Sequence, residues 1–229
     1  MKLSFNDFEL NTFKFLDAIT FDKRTCFQYY ISLLKTKQPI IFAFCPIKDY
    51  NLIIIKICIF CLSFSLYYSV NYFFFDEEMI HKLYEDGGKY DIIYFLPKIS
   101  IAFVVSHILS ILIKFIFLSE RNILQVRLQP TYSKANDIVP TVKRNLTIKY
   151  IIFFILGIII LIFFWMLLSS FGAVYQNTQI IVFENALISF GISFIYPFFI
   201  NIFPCIFRIW SLNSKSECLY TFSKILQIL

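Results

Sequence analysis

Residues 148–171 read IKYIIFFILGIIILIFFWMLLSSF, and this stretch decides the fold class. A helix needs about 20 apolar residues to cross a hydrocarbon core of ~30 Å. Only a helix or a closed barrel satisfies every backbone polar group inside that core. The stretch is long enough and apolar enough to be a transmembrane helix, and it is the clearest of several such segments.

The composition of the whole chain agrees with a membrane protein. Of its 229 residues 59% are hydrophobic and 16% are charged, and the mean hydropathy is +0.71. In soluble domains roughly a quarter of the residues are charged. The formal net charge is +6, and the basic residues cluster between the apolar segments and ahead of them. We therefore predict the lipid bilayer as the partner and no nucleic acid.

Three further segments are long and apolar enough to span, namely 57–75, 92–118 and 182–210. We therefore predict an all-α polytopic membrane protein with four transmembrane helices plus an amphipathic N-terminal juxtamembrane helix. The predicted organisation is a basic cytoplasmic segment at 1–56, a four-helix transmembrane domain at 57–210 and a cytoplasmic tail at 211–229.

The distribution of charge predicts the orientation. Eight basic residues precede the first span, and the loop between spans two and three has six basic against two acidic residues. The loop between spans one and two has six acidic against two basic residues. Lys and Arg near span ends stay in the cytoplasm, so both termini are expected there, in the plasma membrane or an endomembrane in preference to a mitochondrion. The first span is expected to act as an uncleaved signal anchor, and the sequon at Asn145 should carry no sugar.

An amphipathic helix is predicted over residues 25–35. Phe27, Tyr30, Ile31 and Leu34 recur at helical spacing, with Thr25 as the N-cap and a proline after the end of the helix. Basic residues within 23–37 suit anionic lipids of the inner leaflet. The alternative is that this helix packs against the cytoplasmic face of the bundle itself.

The stretch FFFDEEMIHK at 73–82 contains Glu78 and His81 at the Glu-x-x-His spacing of di-metal carboxylate sites. Such a site needs two such pairs, and the chain has two histidines in all. A single-metal site that adds Asp76 or Asp86 is the alternative. We favour a short surface helix over 79–85 that ends at the glycine pair 87–88, and we predict no metal ligands and no cofactor.

His107 is the most distinctive polar residue of the predicted spans because it lies near the middle of span two, where an ionisable group is costly. Together with Asn201 in span four, it defines a hypothetical ion or proton path. The favoured alternative is helix packing, since Ser106 and Ser110 flank His107 at a spacing of four. The same spacing recurs at Ser65 and Ser69 of span one and at Ser189 and Ser193 of span four.

The six cysteines predict no redox chemistry. In the predicted orientation all six lie in the cytoplasm or the inner part of a span, where disulfides are not expected. Cys58 and Cys61 match a metal or redox spacing, but they lie in a hydrophobic helix without a second pair, so we interpret them as structural.

Several short segments carry a resemblance: Cys26-Phe27-Gln28-Tyr29-Tyr30, Leu33-Leu34-Lys35-Thr36-Lys37-Gln38-Pro39, Asp49-Tyr50-Asn51 and Lys82-Leu83-Tyr84-Glu85-Asp86-Gly87-Gly88. Over roughly residues 21–125 the chain resembles uncharacterised multi-pass transmembrane proteins of ciliate protists. That group carries a larger extracytoplasmic part ahead of this region, and the difference suggests a truncated paralogue. The resemblance implies no activity.

We expect a membrane component that is not an enzyme and that anchors or assembles with protein partners or with further copies of itself. No nucleophile elbow, Walker-type loop or regular arginine row is present. The first alternative is a channel or transporter subunit that uses His107 and the proline-bent fourth span. The second alternative is a small hydrophobic subunit of an organellar membrane complex.

Overall fold

The computed structural model describes residues 5–87, 89, 91–129, 131–174 and 178–227. These residues form helices and no strands. In chain order the helices are α1 (Asp7–Thr12), α2 (Phe15–Phe21), α3 (Cys26–Lys37), α4 (Pro39–Phe44), α5 (Ile53–Phe73), α6 (Glu77–Glu85), α7 (Ile92–Phe117), α8 (Glu120–Arg127), α9 (Tyr132–Val174), α10 (Gln179–Ile200), α11 (Ile202–Ser214) and α12 (Glu217–Leu226).

The predicted fold class is confirmed. Four helical stretches are long and apolar enough to cross a membrane: Ile53–Phe73, Ile92–Arg127, Tyr132–Ala173 and Gln179–Ser214. Each of them contains most of one predicted span. The chain is therefore an all-α polytopic membrane protein.

Helix α9 differs most from its predicted span, because it begins at Tyr132 and not near residue 148. Hydropathy marks where a helix can enter lipid, whereas helix formation itself does not need apolar residues. The polar residues 132–147 therefore extend the same helix.

The fourth span is divided at Asn201 into α10 and α11. Pro204 has no N–H to donate to the carbonyl four residues earlier, so the regular ladder is interrupted there. The carbonyl of Pro197 accepts both the backbone N–H of Asn201, at 3.3 Å, and its side-chain amide, at 2.7 Å. Both bonds satisfy the Pro197 carbonyl, whereas the carbonyls that lose a ladder donor to the two prolines are those of Ser193 and Ile200.

Helix α3 begins and ends close to its predicted bounds. Thr25 is the N-cap, and its hydroxyl accepts the backbone N–H of Gln28 while the Gln28 side chain accepts the N–H of Thr25. This reciprocal pair is a capping box. Pro39 follows as the first residue of α4.

Helix α6 is the predicted surface helix, and it begins two residues earlier than predicted. Asp76 is its N-cap and accepts the backbone N–H of Met79 at 3.1 Å. Gly87 has a φ of +64°, the left-handed conformation that glycine adopts without a steric penalty. The other glycine of the pair, at 88, lies outside the described residues.

The chain divides into two compact units. The first is Met1–Ile53 with Phe194–Leu229, and the second is Ile54–Ser193. The boundary falls inside span four, whereas the predicted segments keep 57–210 together. The first unit has a small core of Tyr29, Leu33 and Cys205. In the second unit, one cluster around Tyr68, Phe95, Phe171 and Val182 and another around Ile59 and Phe153 fill the space between helices.

Candidate functional site

The first unit is built around a buried ion pair between Arg208 of α11 and Asp22. The Nη2 atom of Arg208 donates to Asp22 Oδ2 at 2.8 Å and to the backbone oxygen of Leu10 at 3.0 Å. The Arg208 side chain is 0% exposed and that of Asp22 is 2% exposed. The pair therefore links the end of span four to the amino-terminal helices.

A second arginine and two tyrosines complete this centre. Arg24 donates to the same carboxylate, with Nε 2.8 Å from Asp22 Oδ1. Burial raises the pKa of Asp22, but the hydrogen bonds and charges of Arg24 and Arg208 outweigh it and hold the pKa below its usual value. The guanidinium carbon of Arg208 lies 4.4 Å from the ring centroid of Tyr220 and 5.2 Å from that of Tyr29. Cation–π contacts of this kind stabilise a desolvated guanidinium.

This centre has the chemistry of a structural joint. Its ion pairs and further hydrogen bonds link separate segments of the chain, with one carboxylate shared by two guanidiniums. The Nε and Nη1 atoms of Arg208 are buried without a hydrogen-bond partner among the described residues. Tyr220 donates to the oxygen of Phe13 at 2.7 Å, and Lys224 donates to the oxygen of Thr12 at 2.8 Å. These bonds connect α12 to the end of α1.

The structure corrects the expectation that no cysteines pair. Cys26, at the start of α3, forms a disulfide with Cys205 of α11, and their Cα atoms are 5.7 Å apart. The compartment and the orientation of the chain do not tell which cysteines lie close together in the fold. The two cysteines meet because α3 packs on α11, although 179 residues separate them.

That packing also bears on the two hypotheses for α3. Its buried side includes Tyr29, Leu33 and Leu34, and Phe27 is 70% exposed. The helix thus packs against the protein's own α11 along one face, as the alternative to lipid binding supposes. Two of its basic neighbours have acidic partners, since Arg24 pairs with Asp22 and Lys35 lies 3.3 Å from Asp7.

The second unit has a polar interior. The six serines at four-residue spacing on α5, α7 and α10 are all buried: Ser65, Ser69, Ser106, Ser110, Ser189 and Ser193. Ser189 donates to Asn71 at 3.2 Å, and Asn71 donates to the backbone oxygen of Tyr67 at 2.7 Å. The Ser189–Asn71 bond joins α10 to α5 through polar side chains, as expected of helix packing in a membrane.

The two residues of the hypothetical path belong to different units. His107 lies in the second unit, is half-buried, and stacks on Phe103 with ring centroids 5.7 Å apart. Asn201 lies in the first unit and is 0% exposed. Next to His107, the hydroxyls of Ser106 and Ser110 are buried and have no hydrogen-bond partner among the described residues.

The acidic residues of the predicted outer loop take other partners. Asp76 caps α6 and pairs with Lys98 of α7, and the hydrogen bond from Lys98 holds the pKa of Asp76 below its usual range. His81 lies 3.2 Å from Glu85, one turn further along α6. In the part of the chain that the structure describes, no three His, Cys, Asp or Glu side chains are arranged to hold a metal ion.

An open apolar groove lies between α8 and the first part of α9. Its volume is about 450 Å³. Its apolar lining is Ile123 and Val126 of α8 with Val139, Val142, Leu146 and Tyr150 of α9. Lys143 is the charged residue of the lining, and it is exposed.

The hairpin of α8 and residues 132–147 is here called the basic hairpin. It is held against the end of α7 by Arg121 of α8 and by Lys149, which follows the hairpin on α9. The guanidinium of Arg121 lies 4.0 Å from the ring centroid of Phe115, and Lys149 donates to the oxygen of Leu118 at 2.6 Å. Lys134, Lys143 and Arg144 are exposed. The side chains of these three residues are therefore on the surface of the hairpin.

Several buried or half-buried charged residues received no structural role in the prediction from sequence. Among them are Arg208 and Asp22, which form the buried ion pair. Glu184, half-buried in α10, was passed over inside an apolar run. A charge inside an apolar helix is a signal visible in sequence, whereas the partner of that charge is not.

No protein-family model matches the chain, and neither a curated protein nor a solved structure is significantly similar to it. The function must therefore be inferred from the residues themselves.

Proposed function

We propose that this protein is a membrane component without enzymatic activity that anchors or assembles partner proteins at the cytoplasmic side of a membrane. The observation that carries the proposal is the length of α9, together with the polar and basic character of its first residues, 132–147. The helix has 43 residues, which corresponds to about 65 Å at 1.5 Å per residue.

A bilayer core of ~30 Å occupies only about 20 of those residues. The apolar run 148–171 is the part that fits the core, so residues 132–147 extend beyond it. With α8 they form the basic hairpin. A rigid surface built outside the lipid by the continuation of a membrane span is what an anchoring protein needs.

The orientation proposed for this function follows from charge. Residues 119–149 contain six basic and two acidic residues, and eight basic residues precede the first span. Both features favour the cytoplasmic side, with the plasma membrane or an endomembrane as the location. Lipid binding through residues 23–37 is a weaker part of the proposal, because Arg24 and Lys35 already pair with acidic residues of the chain.

Cross-linking in native membranes tests the anchoring function. A lysine-reactive cross-linker should join Lys134 and Lys143 to other proteins, and should do so far less for Lys82 and Lys89 of the predicted outer loop. The adducts are identified by mass spectrometry. Cross-links confined to this chain, together with a monomeric size of the solubilised protein, would contradict the proposal.

The second candidate function is a channel or transporter subunit. Its supporting observation is the pair of buried hydroxyls of Ser106 and Ser110, which lack partners among the described residues and flank His107. Proton or cation flux through proteoliposomes with wild-type protein and with the His107→Leu variant distinguishes the candidates. Flux that depends on His107 would support the channel, and its absence in folded protein would favour the anchor.

A further inference from the structure

We infer that the groove of the basic hairpin binds an acidic amphipathic helix of a partner protein. This inference deepens the proposed function and rests on it. It specifies where on the hairpin the partner binds and what chemistry the partner presents.

The shape of the groove favours a helix. Along α9 its lining runs from Val139 to Tyr150, which is about 16 Å or three turns. Both walls are helices, whose backbone groups are already bonded internally, so an added β-strand would find no edge to pair with. An apolar stripe at helical spacing is the partner surface that such a groove accommodates.

The position of the groove favours a protein over a lipid. Most of the lining residues precede residue 148, where the apolar run begins. An acyl chain would have to leave the hydrocarbon core to reach Val139 and Val142. A soluble partner reaches them directly from the aqueous side.

The charge around the groove selects an acidic partner. Lys143 lies in the lining, and no carboxylate lies within ion-pair distance of it among the described residues. Carboxylates that flank an apolar stripe would meet the ammonium group of Lys143, whereas ammonium groups would be repelled by it.

Two stapled helical peptides of about 14 residues test the inference. They share one leucine stripe at i, i+3, i+4 and i+7, and one carries Glu and the other Lys at the flanking positions. Binding to the full chain in phosphatidylcholine nanodiscs is measured by fluorescence anisotropy. The Glu peptide should bind at least about tenfold more tightly than the Lys peptide.

Matched variants locate the binding site. Lys143→Glu should reverse the preference between the peptides, and Val139→Asp should weaken both by at least about tenfold. Arg144→Glu makes the same change in net charge at the neighbouring position, which is outside the lining, and should alter the affinities by less than about threefold.

Equal binding of the two peptides, no binding of either, or an equal effect of Lys143→Glu and Arg144→Glu would overturn the inference. If partner proteins cross-link to Lys134 or Lys143 in membranes but the Glu peptide does not bind, the anchoring function stands and the acidic-helix inference is wrong. If both experiments fail, the anchoring function is wrong as well.

Discussion

Replacing Asp22 by alanine should destabilise the first unit more than any change to a surface ion pair. Asp22 accepts from Arg208 at 2.8 Å, and both side chains are at most 2% exposed. The Asp22→Ala variant leaves a buried guanidinium without an anion, and breaking a buried pair in this way costs about 3–5 kcal/mol. Arg208→Met should cost only about 1.5–3 kcal/mol, because Asp22 keeps Arg24 as a partner at 2.8 Å.

Trp210 makes this difference measurable within the first unit. The chain has two tryptophans, so a Trp165→Phe background leaves Trp210, which stacks on Phe207 with ring centroids 6.3 Å apart. Urea titration of the protein in micelles, followed by the fluorescence of Trp210, gives the free energy of unfolding for each variant. The Asp22→Ala, Arg208→Met double variant should lose less free energy of unfolding than the two single variants together. The difference should be about 1–3 kcal/mol, which is the coupling between residues in contact.

Lys35→Ala is the control for this experiment. Lys35 and Asp7 are 3.3 Å apart with side chains 43% and 35% exposed, and such a pair contributes at most about 1 kcal/mol. If Asp22→Ala cost no more than Lys35→Ala, or if the double variant showed no coupling, the buried pair would not be the joint of the unit.

Three further predictions concern pH, cysteine pairing and orientation. Burial, with the charge of Arg208, lowers the pKa of Lys224 from 10.5 to about 8, so the unfolded state binds more protons and thermal stability should rise above pH 8. Thermal stability should fall again above pH 10, because burial raises the pKa of Tyr220 to about 12. Scanning fluorimetry of the Lys224→Met variant should show no increase in thermal stability above pH 8. In air-oxidised buffer, mass spectrometry without reductant should find the Cys26 and Cys205 peptides linked, and alkylation of both would contradict the pairing. Asn145 should carry no glycan after expression in a eukaryotic membrane system, and a glycosidase-sensitive mass shift would invert the proposed orientation.

The membrane helices were predictable because they depend on local sequence alone. An apolar run of sufficient length has few alternatives to a transmembrane helix, and all four such runs form helices. The N-cap at Thr25 was predictable for the same reason. The beginning of α9 was predicted wrongly, because hydropathy was used to place it. Helix propensity and packing decide where a helix begins.

The joint of the first unit was not predictable because it is non-local. Arg208 and Asp22 are 186 residues apart, and many acidic residues of the chain were equally plausible partners. The groove of the basic hairpin depends in the same way on how α8 packs against α9. The positive charge of that loop was visible in sequence, but its apolar groove was not.

The first unit has links besides the disulfide: Cys26 and Cys205 join α3 to α11, and the Arg208–Asp22 pair joins α11 to the end of α2. Cytosolic thiols keep most cysteine pairs reduced, so a cytoplasmic unit could not depend on Cys26 and Cys205. The Arg208–Asp22 pair is insensitive to reduction, and the bonds from Tyr220 to Phe13 and from Ser223 to the oxygen of Pro204, at 2.9 Å, are as well. These contacts do not need the disulfide, so the buried ion pair is the part of the unit on which an anchor in the cytoplasm would depend.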